Sequence, residues 1–391
     1  MRRSTVRKFE SRRAIAAALF ALMLPVLIGM TSLAVDVAMI TVARGQLRVA
    51  SDAAALAAAP QLGTENRVRG SSNLSSEISG ANTQAYSFAR KNRVLNAAPV
   101  LSTNFSNATG GDILVGYLDW QNPNATLDSS LGSEAAYNSV QVTLKRDAQH
   151  GGLVPTIFAS LMGFKGSTVT VSSTATCQNF AVAGVKSDGS SNINLLPIVL
   201  DVDTWKAMMA GTTLDQYAYN TTTGAVTSGT DGVAESKLYP VASGSPGNWG
   251  TIKVGVSNNS TSILNSQIQY GITPQQAATF PGGVIALDST LSPPSYTFSG
   301  NPGISAGIKS SLNAIIGKPV LVPIYDLNGG NGNNAWYRVI AFQPSRVLAV
   351  NFQGSNKYVI IQPCLMDDSN VIKGDRQDWS KGGTIGVFLS R

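Results

Sequence analysis

One uncharged stretch near the start of the chain constrains the fold more than any other feature. It runs for 22 residues, from Ala14 to Val35, and Asp36 closes it. At about 1.5 Å per helical residue it spans ~33 Å, enough for the ~30 Å hydrocarbon core of a bilayer. Six cations and one anion precede it, and such cationic flanking keeps an amino terminus in the cytoplasm. We therefore predict a cytoplasmic basic tail over 1–13 and a transmembrane helix over 14–35, followed by an exported region.

A cleaved signal peptide is the competing interpretation of this stretch. Its apolar region is usually only about 7–15 residues long and precedes a cleavage site of the small-x-small type. The sequence Thr31-Ser32-Leu33-Ala34 could provide such a site, but the apolar run is long and its helical pattern continues beyond it. Pro60 also disfavours cleavage after Ala59. We therefore expect a retained anchor.

Asp36 has two interpretations. An ionisable group inside a membrane is costly, so such a residue often marks a functional site. Asp36 lies at the outer edge of the run, however, where its carboxylate would reach water and mark the membrane boundary. We favour this second interpretation.

The helical pattern continues beyond the membrane. Apolar residues recur at alternating spacings of three and four, which predicts a packing stripe along a helical extension over 36–60; the stripe consists of Ile40, Ala43, Leu47, Ala50, Ala54 and Ala57. Because most of these side chains are small, whatever packs on the stripe can approach closely. Pro60 and Gly63 end the pattern, so one helix of ~69 Å is expected.

These residues carry a family resemblance. The blocks that carry it are Arg13–Ala16, Leu19–Leu27, Leu33–Val37, Ala43–Leu47 and Ala50–Ala57. In this order they resemble the amino terminus of TadE/TadG-like proteins, which belong to the Flp, or tight-adherence, pilus assembly machinery of bacteria. The resemblance covers roughly the first 60 residues. No glycine precedes a prepilin-type cleavage site and Glu10 lies before the apolar run, which argues against a processed pilin subunit.

The net charge of +7 does not indicate nucleic-acid binding. The first 13 residues contain six cations and one anion, and so hold +5 of this charge, leaving +2 for the other 378 residues. The basic residues before the apolar run therefore indicate the orientation of the chain in the membrane. Charged residues form only 13% of the chain, against a usual ~25%, which is consistent with an exported, Ser/Thr/Asn-rich protein.

The residue patterns of the exported region predict an α+β fold rich in antiparallel sheet. Residues 139–146 and 167–176 alternate apolar and polar side chains, as half-buried strands do. The segment 153–164 has a helical pattern. Three β-rich runs over 335–342, 346–352 and 358–362, with turns at 343–345 and 354–356, predict an antiparallel meander. The polar, turn-rich stretch 184–194 predicts a membrane-proximal α+β domain over 61–185 and a β-rich distal domain over 186–391.

Catalysis has little support in the sequence. The single histidine, His150, lies in a predicted loop without a nucleophile motif, so we predict no enzyme, cofactor, metal or small-molecule substrate. Asp288-Ser289-Thr290-Leu291-Ser292 has the spacing of a divalent-metal adhesion motif, but Pro293-Pro294 follows where a helix is expected. A membrane-tethered surface-binding protein, for example a metal-dependent adhesin, is therefore the alternative function.

The two cysteines, Cys177 and Cys364, each follow a predicted strand. An exported compartment allows a disulfide, and an even count leaves no thiol over. The alternative is two buried, unpaired cysteines that behave as small hydrophobic residues. The choice depends on whether their Cα atoms lie within about 7 Å.

The favoured function follows mainly from the resemblance. It implies an accessory component of a Flp-type pilus, anchored in the bacterial inner membrane by one helix, with a cytoplasmic amino terminus and a periplasmic or extracellular carboxy-terminal region. The residues imply that it acts by packing against other pilus-assembly membrane proteins, with the alanine-rich stripe and the anchor as the interaction surface.

Overall fold

The structure is a computed structural model that describes residues 3–130, 133–239, 250–353 and 357–391, with side chains from Ile15 onward. The side chains of the predicted basic tail and the predicted turn at 354–356 lie outside these described residues. The α+β class is confirmed: one long apolar amino-terminal helix precedes a large sheet whose strands pair mainly antiparallel.

The described residues form eight α-helices and sixteen strands. The helices are α1 (Arg3–Ala58), α2 (Glu65–Val68), α3 (Ser75–Lys91), α4 (Phe158–Leu161), α5 (Val202–Met209), α6 (Thr261–Tyr270), α7 (Pro274–Ala277) and α8 (Lys309–Asn313). The strands are β1 (Ile113–Gly116), β2 (Ser139–Arg146), β3 (Val169–Lys186), β4 (Ile198–Asp201), β5 (Tyr217–Tyr219), β6 (Val226–Ser228), β7 (Ser236–Tyr239), β8 (Gly250–Ile252), β9 (Val284–Ala286), β10 (Tyr296–Pro302), β11 (Pro319–Gly329), β12 (Ala335–Asn351), β13 (Tyr358–Pro363), β14 (Leu365–Met366), β15 (Val371–Arg376) and β16 (Gly383–Leu389).

Helix α1 is continuous over 56 residues and contains Pro25. A short 3-10 turn, Ala59–Leu62, follows it and holds Pro60 at a position where a missing N–H is tolerated. The backbone N–H of Gly63 then donates to the Pro60 carbonyl. The predicted single helix and its end near Pro60 and Gly63 agree with this element.

Two long strands organise the fourteen-stranded sheet of the described residues. β3 pairs with β2 through its first half and with β16 and then β15 through its second half. β12 pairs with β11 along one edge and with β10 and then β13 along the other. A single bridge between Phe342 and Val182 joins the two long strands. The sheet therefore runs without a break from the amino-terminal strands to the last one.

Three large apolar cores lie on this sheet, beside a small fourth cluster of Val68, Val233 and Leu365. The first packs α1 and α3 against β1, β2 and the start of β3, and its buried residues run from Ala43 to Cys177. The second and third are built by the later strands with α6 and α8, and their buried residues run from Val182 to Met366. The change of core falls inside β3, close to the predicted boundary at 185/186. The division into two domains stays a prediction, because the sheet itself crosses that boundary.

Two local predictions were wrong. The predicted turn at 343–345 is part of β12, whose outer edge is paired to β10 as far as Val339 and to β13 from Ser345 onward. Pro344 falls between these two partners, where its missing N–H breaks no ladder on that edge. The helical pattern of 153–164 yields only one turn, α4, because the rest of the segment forms a loop between β2 and β3.

Candidate functional site

The amino-terminal half of α1, over residues 15–35, presents an unusual apolar surface. Its large side chains between Ile15 and Val35 are mostly about half exposed or more, and Phe20 and Leu22 reach 68% and 72%. This is the one helix among the described residues that is long and apolar enough to cross a membrane, judged by length and composition. Since exposed apolar surface costs roughly 25 cal/mol per Å² in water, this half of α1 needs a covering outside the chain.

The second half of α1 is instead covered by the chain itself. Ala43, Leu47, Ala50 and Ala54 of the predicted stripe are fully buried in the first core, and Ile40 and Ala57 are partly buried. Ala58 is also fully buried, so the buried face drifts by one residue at its carboxyl end. The stripe is thus occupied within the chain, and a partner protein needs a different face of α1.

Small residues on both sides allow α1 and α3 to pack closely. Helix α3 contributes Ala81, Ala85 and Ala89, all fully buried in the same core as the stripe. Their spacing of four residues places them on one face of the helix. Alanine facing alanine brings the two backbones together without loss of side-chain entropy.

Polar contacts fix the β2–β3 hairpin along α1. The Ser51 hydroxyl donates to the Val142 carbonyl of β2 at 2.7 Å. The Arg48 guanidinium donates to the Ser172 carbonyl of β3 at 3.2 Å and pairs with Asp52 at 3.2 Å. The hairpin therefore lies beside α1 in a defined register.

Asp36 lies deeper in the protein than the sequence suggested. Its side chain is only 4% exposed, so its carboxylate is not the water-facing boundary group that we expected. It accepts hydrogen bonds from the backbone N–H of Ile157 and, at 2.9 Å, from that of Ala159. These amides begin α4, so Asp36 caps this one-turn helix from a position more than 120 residues earlier in the chain.

The structure does not pair the two cysteines: Cys177 and Cys364 are free, fully buried thiols. Cys177 faces Val387 of β16, whereas Cys364 precedes Leu365, which faces Gly383 on the opposite edge of β16. Gly383 and Val387 are about 13 Å apart along a strand, well beyond the ~7 Å that a disulfide allows. Burial raises the pKa of the Cys177 thiol to about 12 and that of Cys364 further, so both are unreactive.

The motif-like loops have local structural roles. The Asp288 carboxylate accepts bonds from the backbone N–H and the hydroxyl of Thr290, at 2.9 and 2.7 Å, as in a tight turn. No cluster of three or more metal-ligating side chains occurs within the part of the chain that the structure describes. His150 is half-buried, and its Nδ1 lies 2.7 Å from the Asp147 carboxylate; it is therefore held in the loop and is not simply solvated.

Two acidic groups, one buried and one partly buried, were not identified from the sequence. Glu235 is 3% exposed and lines a pocket of about 380 Å³ together with Thr204, Leu214 and Lys237. Burial raises the pKa of its carboxyl to about 7. The second group, Glu65 of α2, pairs with the buried Arg346 of β12 at 2.9 Å. Neither residue has a local sequence signal, because the partners that bury them are distant in the chain.

Comparison with protein families matches the amino-terminal part of the chain. A family described as putative Flp pilus-assembly TadE/G-like matches residues 15–61. A second, described as putative Tad-like Flp pilus-assembly, matches residues 41–175. The first match covers most of α1, and the second coincides with the core formed by α1, α3 and β1–β3. No curated protein and no solved structure matches the chain.

Proposed function

We propose, from the matches of residues 15–61 to the TadE/G-like family and of residues 41–175 to the Tad-like Flp pilus-assembly family, that the chain is an accessory component of a bacterial Flp-type pilus. It acts from the inner membrane through contacts with other assembly proteins and without catalysis. Its amino terminus lies in the cytoplasm, and the domains that follow α1 are exported to the opposite side of the membrane.

One observation carries the anchoring part of this proposal. The same helix has an exposed apolar half and a half that is built into the core of the matched region. A core helix of a soluble protein would be buried along its apolar length, but the apolar window of α1 is not buried at all. A rigid connection between membrane and exported region suits a protein that holds assembly partners at the membrane surface.

The outward face of α1 is the surface that remains for a partner helix. Four exposed apolar side chains recur on it every seven residues: Val35, Val42, Val49 and Leu56, which are 44%, 48%, 60% and 38% exposed. Seven-residue spacing places side chains on one seam of a helix and is typical of helix pairs. We propose that this seam receives a helix of another membrane-anchored pilus-assembly protein.

A deletion and complementation experiment tests the function. Deleting the gene should abolish or strongly reduce Flp piliation and adhesion, and the intact chain should restore both. Complementation with Val42→Glu and Val49→Glu together should restore neither and should lose co-purification of assembly proteins. Thr41→Glu, which adds a charge on another exposed face of α1, is the matched control. Unchanged piliation in the deletion strain would refute the pilus role.

A reporter fused after Arg391 tests the topology separately. A reporter that is active only when exported should function there. Activity of a cytoplasm-specific reporter at the same position would reverse the proposed orientation.

A further inference from the structure

The connection between β2 and β3 carries an exposed apolar cluster beside the anchor. Its residues 154–167 form a loop that is closed at its base by the paired backbones of Val154 and Ser167. Four large side chains within this loop point outward: Ile157, Leu161, Met162 and Phe164, which are 56%, 77%, 66% and 66% exposed. No charged residue occurs between His150 and Lys165. A soluble loop of this composition would be poorly hydrated.

The loop runs down α1 toward the amino terminus of the helix. Ser172 lies beside Arg48, and the start of α4 lies on Asp36. Phe158 reaches further, because a Cβ placed on Gly29 would lie 3.4 Å from its ring. Gly29 is seven residues before Asp36, which is about 10 Å along the helix axis. The loop therefore lies beside the outer part of the apolar run of α1.

The backbone of this loop is arranged for surroundings without water. Hydrocarbon offers no hydrogen bonds, so irregular backbone survives at membrane depth only when the protein satisfies its polar groups. The N–H groups of Leu161, Met162, Gly163 and Phe164 all donate to carbonyls of the same loop. Those of Ile157 and Ala159 donate to the Asp36 carboxylate. Asp36 thus satisfies the donors that a single-turn helix leaves open at its start.

We propose that residues 155–165 form a second membrane-contacting element, which inserts into the outer leaflet of the bilayer that α1 crosses. The phospholipid acyl chains cover Ile157, Leu161, Met162 and Phe164, and Asp36 holds the loop against α1 at this depth. This inference rests on the proposed membrane crossing of α1.

Lipid is the occupant that the geometry favours. The exposed side chains continue the exposed apolar surface of α1, which the bilayer already covers. The depth of about 10 Å agrees with the ~5–10 Å to which interfacial segments bury their apolar faces. Lys165, exposed directly after Phe164, can place its ammonium group among the lipid headgroups while its stem stays apolar.

Spin-label accessibility in the full-length protein tests this inference. Single cysteines are introduced as Leu161→Cys and Phe164→Cys, with Leu24→Cys as the reference inside α1 and Asn124→Cys as the reference on an exposed loop. The labelled proteins are placed in vesicles of phosphatidylethanolamine and phosphatidylglycerol. Unsubstituted protein measures labelling of the buried native thiols. Collision rates with oxygen, which concentrates in lipid, and with a water-soluble nickel chelate are then compared.

The ratio of oxygen to nickel collisions should be several-fold higher at positions 161 and 164 than at 124, and should approach that at 24. A water-like ratio at 161 with a lipid-like ratio at 24 overturns the inserted loop and leaves the anchor intact. Water-like ratios at both positions overturn the anchor as well. Shielding of 161 from both reagents means that a protein surface covers the loop, which also overturns the inference.

The role of Asp36 has its own test. Asp36→Ala should lower the oxygen-to-nickel ratio at Phe164→Cys by several-fold, because the start of α4 loses its acceptor. Asp36→Asn keeps one acceptor oxygen and should have a smaller effect. A ratio that stays the same in Asp36→Ala would show that other contacts hold the loop.

Discussion

At the scale of single residues, Glu235 couples stability to pH. Burial raises the pKa of its carboxyl from 4.5 to about 7, because the charged form loses water and faces Asp215 and Asp231. The folded protein therefore binds this proton more tightly than the unfolded chain. The contribution to stability is fully present below pH 4.5 and is lost as the pH rises through about 7.

We expect Glu235→Gln to flatten this dependence. The amide oxygen of the glutamine can still accept the hydrogen bond from the backbone N–H of Tyr217. The substitution removes the buried charge. At pH 8 the variant should be more stable than the natural protein by about 1–3 kcal/mol, with little difference near pH 4.5. Thermal unfolding of the detergent-solubilised protein across this pH range measures it. A stability gain of equal size at both ends of the pH range would contradict the raised pKa of Glu235.

The ion pair of Glu65 and Arg346 makes a second residue-scale prediction. Arg346 is 2% exposed and also donates to the Gly317 carbonyl at 2.8 Å. Glu65→Gln leaves a buried cation without its counter-charge, which should cost about 3–5 kcal/mol of unfolding free energy. Adding Arg346→Met should recover part of this loss, since no buried charge remains.

The surface pair of Arg48 and Asp52 is the matched control for that measurement. Their side chains are 49% and 27% exposed, and Asp52→Asn should cost no more than about 1 kcal/mol. Chemical denaturation of these three variants and the unsubstituted protein in the same detergent gives the comparison. Equal losses for Glu65→Gln and Asp52→Asn would mean that the buried pair does not join α2 to β12 as described.

At the scale of elements, the stripe on α1 is sensitive to added volume. Ala50 is fully buried against the sheet and α3, whereas its neighbour Val49 is 60% exposed. Ala50→Leu forces three extra carbons into a closely packed site and should destabilise the protein by about 1–3 kcal/mol or more. Val49→Leu should change stability by less than about 0.5 kcal/mol. The difference between the two melting curves is the measurement.

Local pattern predicted the elements well where one face is buried. Strand β2 begins and ends where its alternation of apolar and polar residues predicts, and α1 ends at Ala58, two residues before Pro60. The prediction of the stripe was less accurate at the carboxyl end, where Ala58 is buried more fully than Ala57. Alternating spacings of three and four average 3.5 residues per turn, and a straight helix drifts away from that repeat.

Contacts between distant segments could not be predicted from the sequence. The amides that bind Asp36 lie more than 120 residues away, and an apolar run such as 153–164 has the same periodicity whether it forms a helix or a capped loop. Pro344 looked like a turn because its effect depends on which strands lie beside it. The sequence therefore predicted one long apolar helix with an alanine-rich stripe, but not the loop that lies against it.

At the scale of the whole molecule, the continuous sheet implies that the two halves unfold together. β3 contributes to the first core through its start and to the second through its end. The pair of Glu65 and Arg346 adds a further link, between α2 and β12. Separating the regions on either side of residue 185 would leave β3 paired with β2 but would remove its neighbours β16, β15 and β9.

The two cysteines allow this cooperativity to be measured, because one lies in the first core and the other beside β14. Neither thiol should react with an alkylating reagent in the native protein, since each is fully buried. In increasing denaturant, Cys177 and Cys364 should become alkylated in parallel, as resolved by mass spectrometry of peptides that contain each residue. Earlier alkylation of one thiol would instead support two independently unfolding domains. A disulfide would leave both thiols unmodified in full denaturant without reductant, whereas the register of β16 with its two neighbours predicts two alkylated residues.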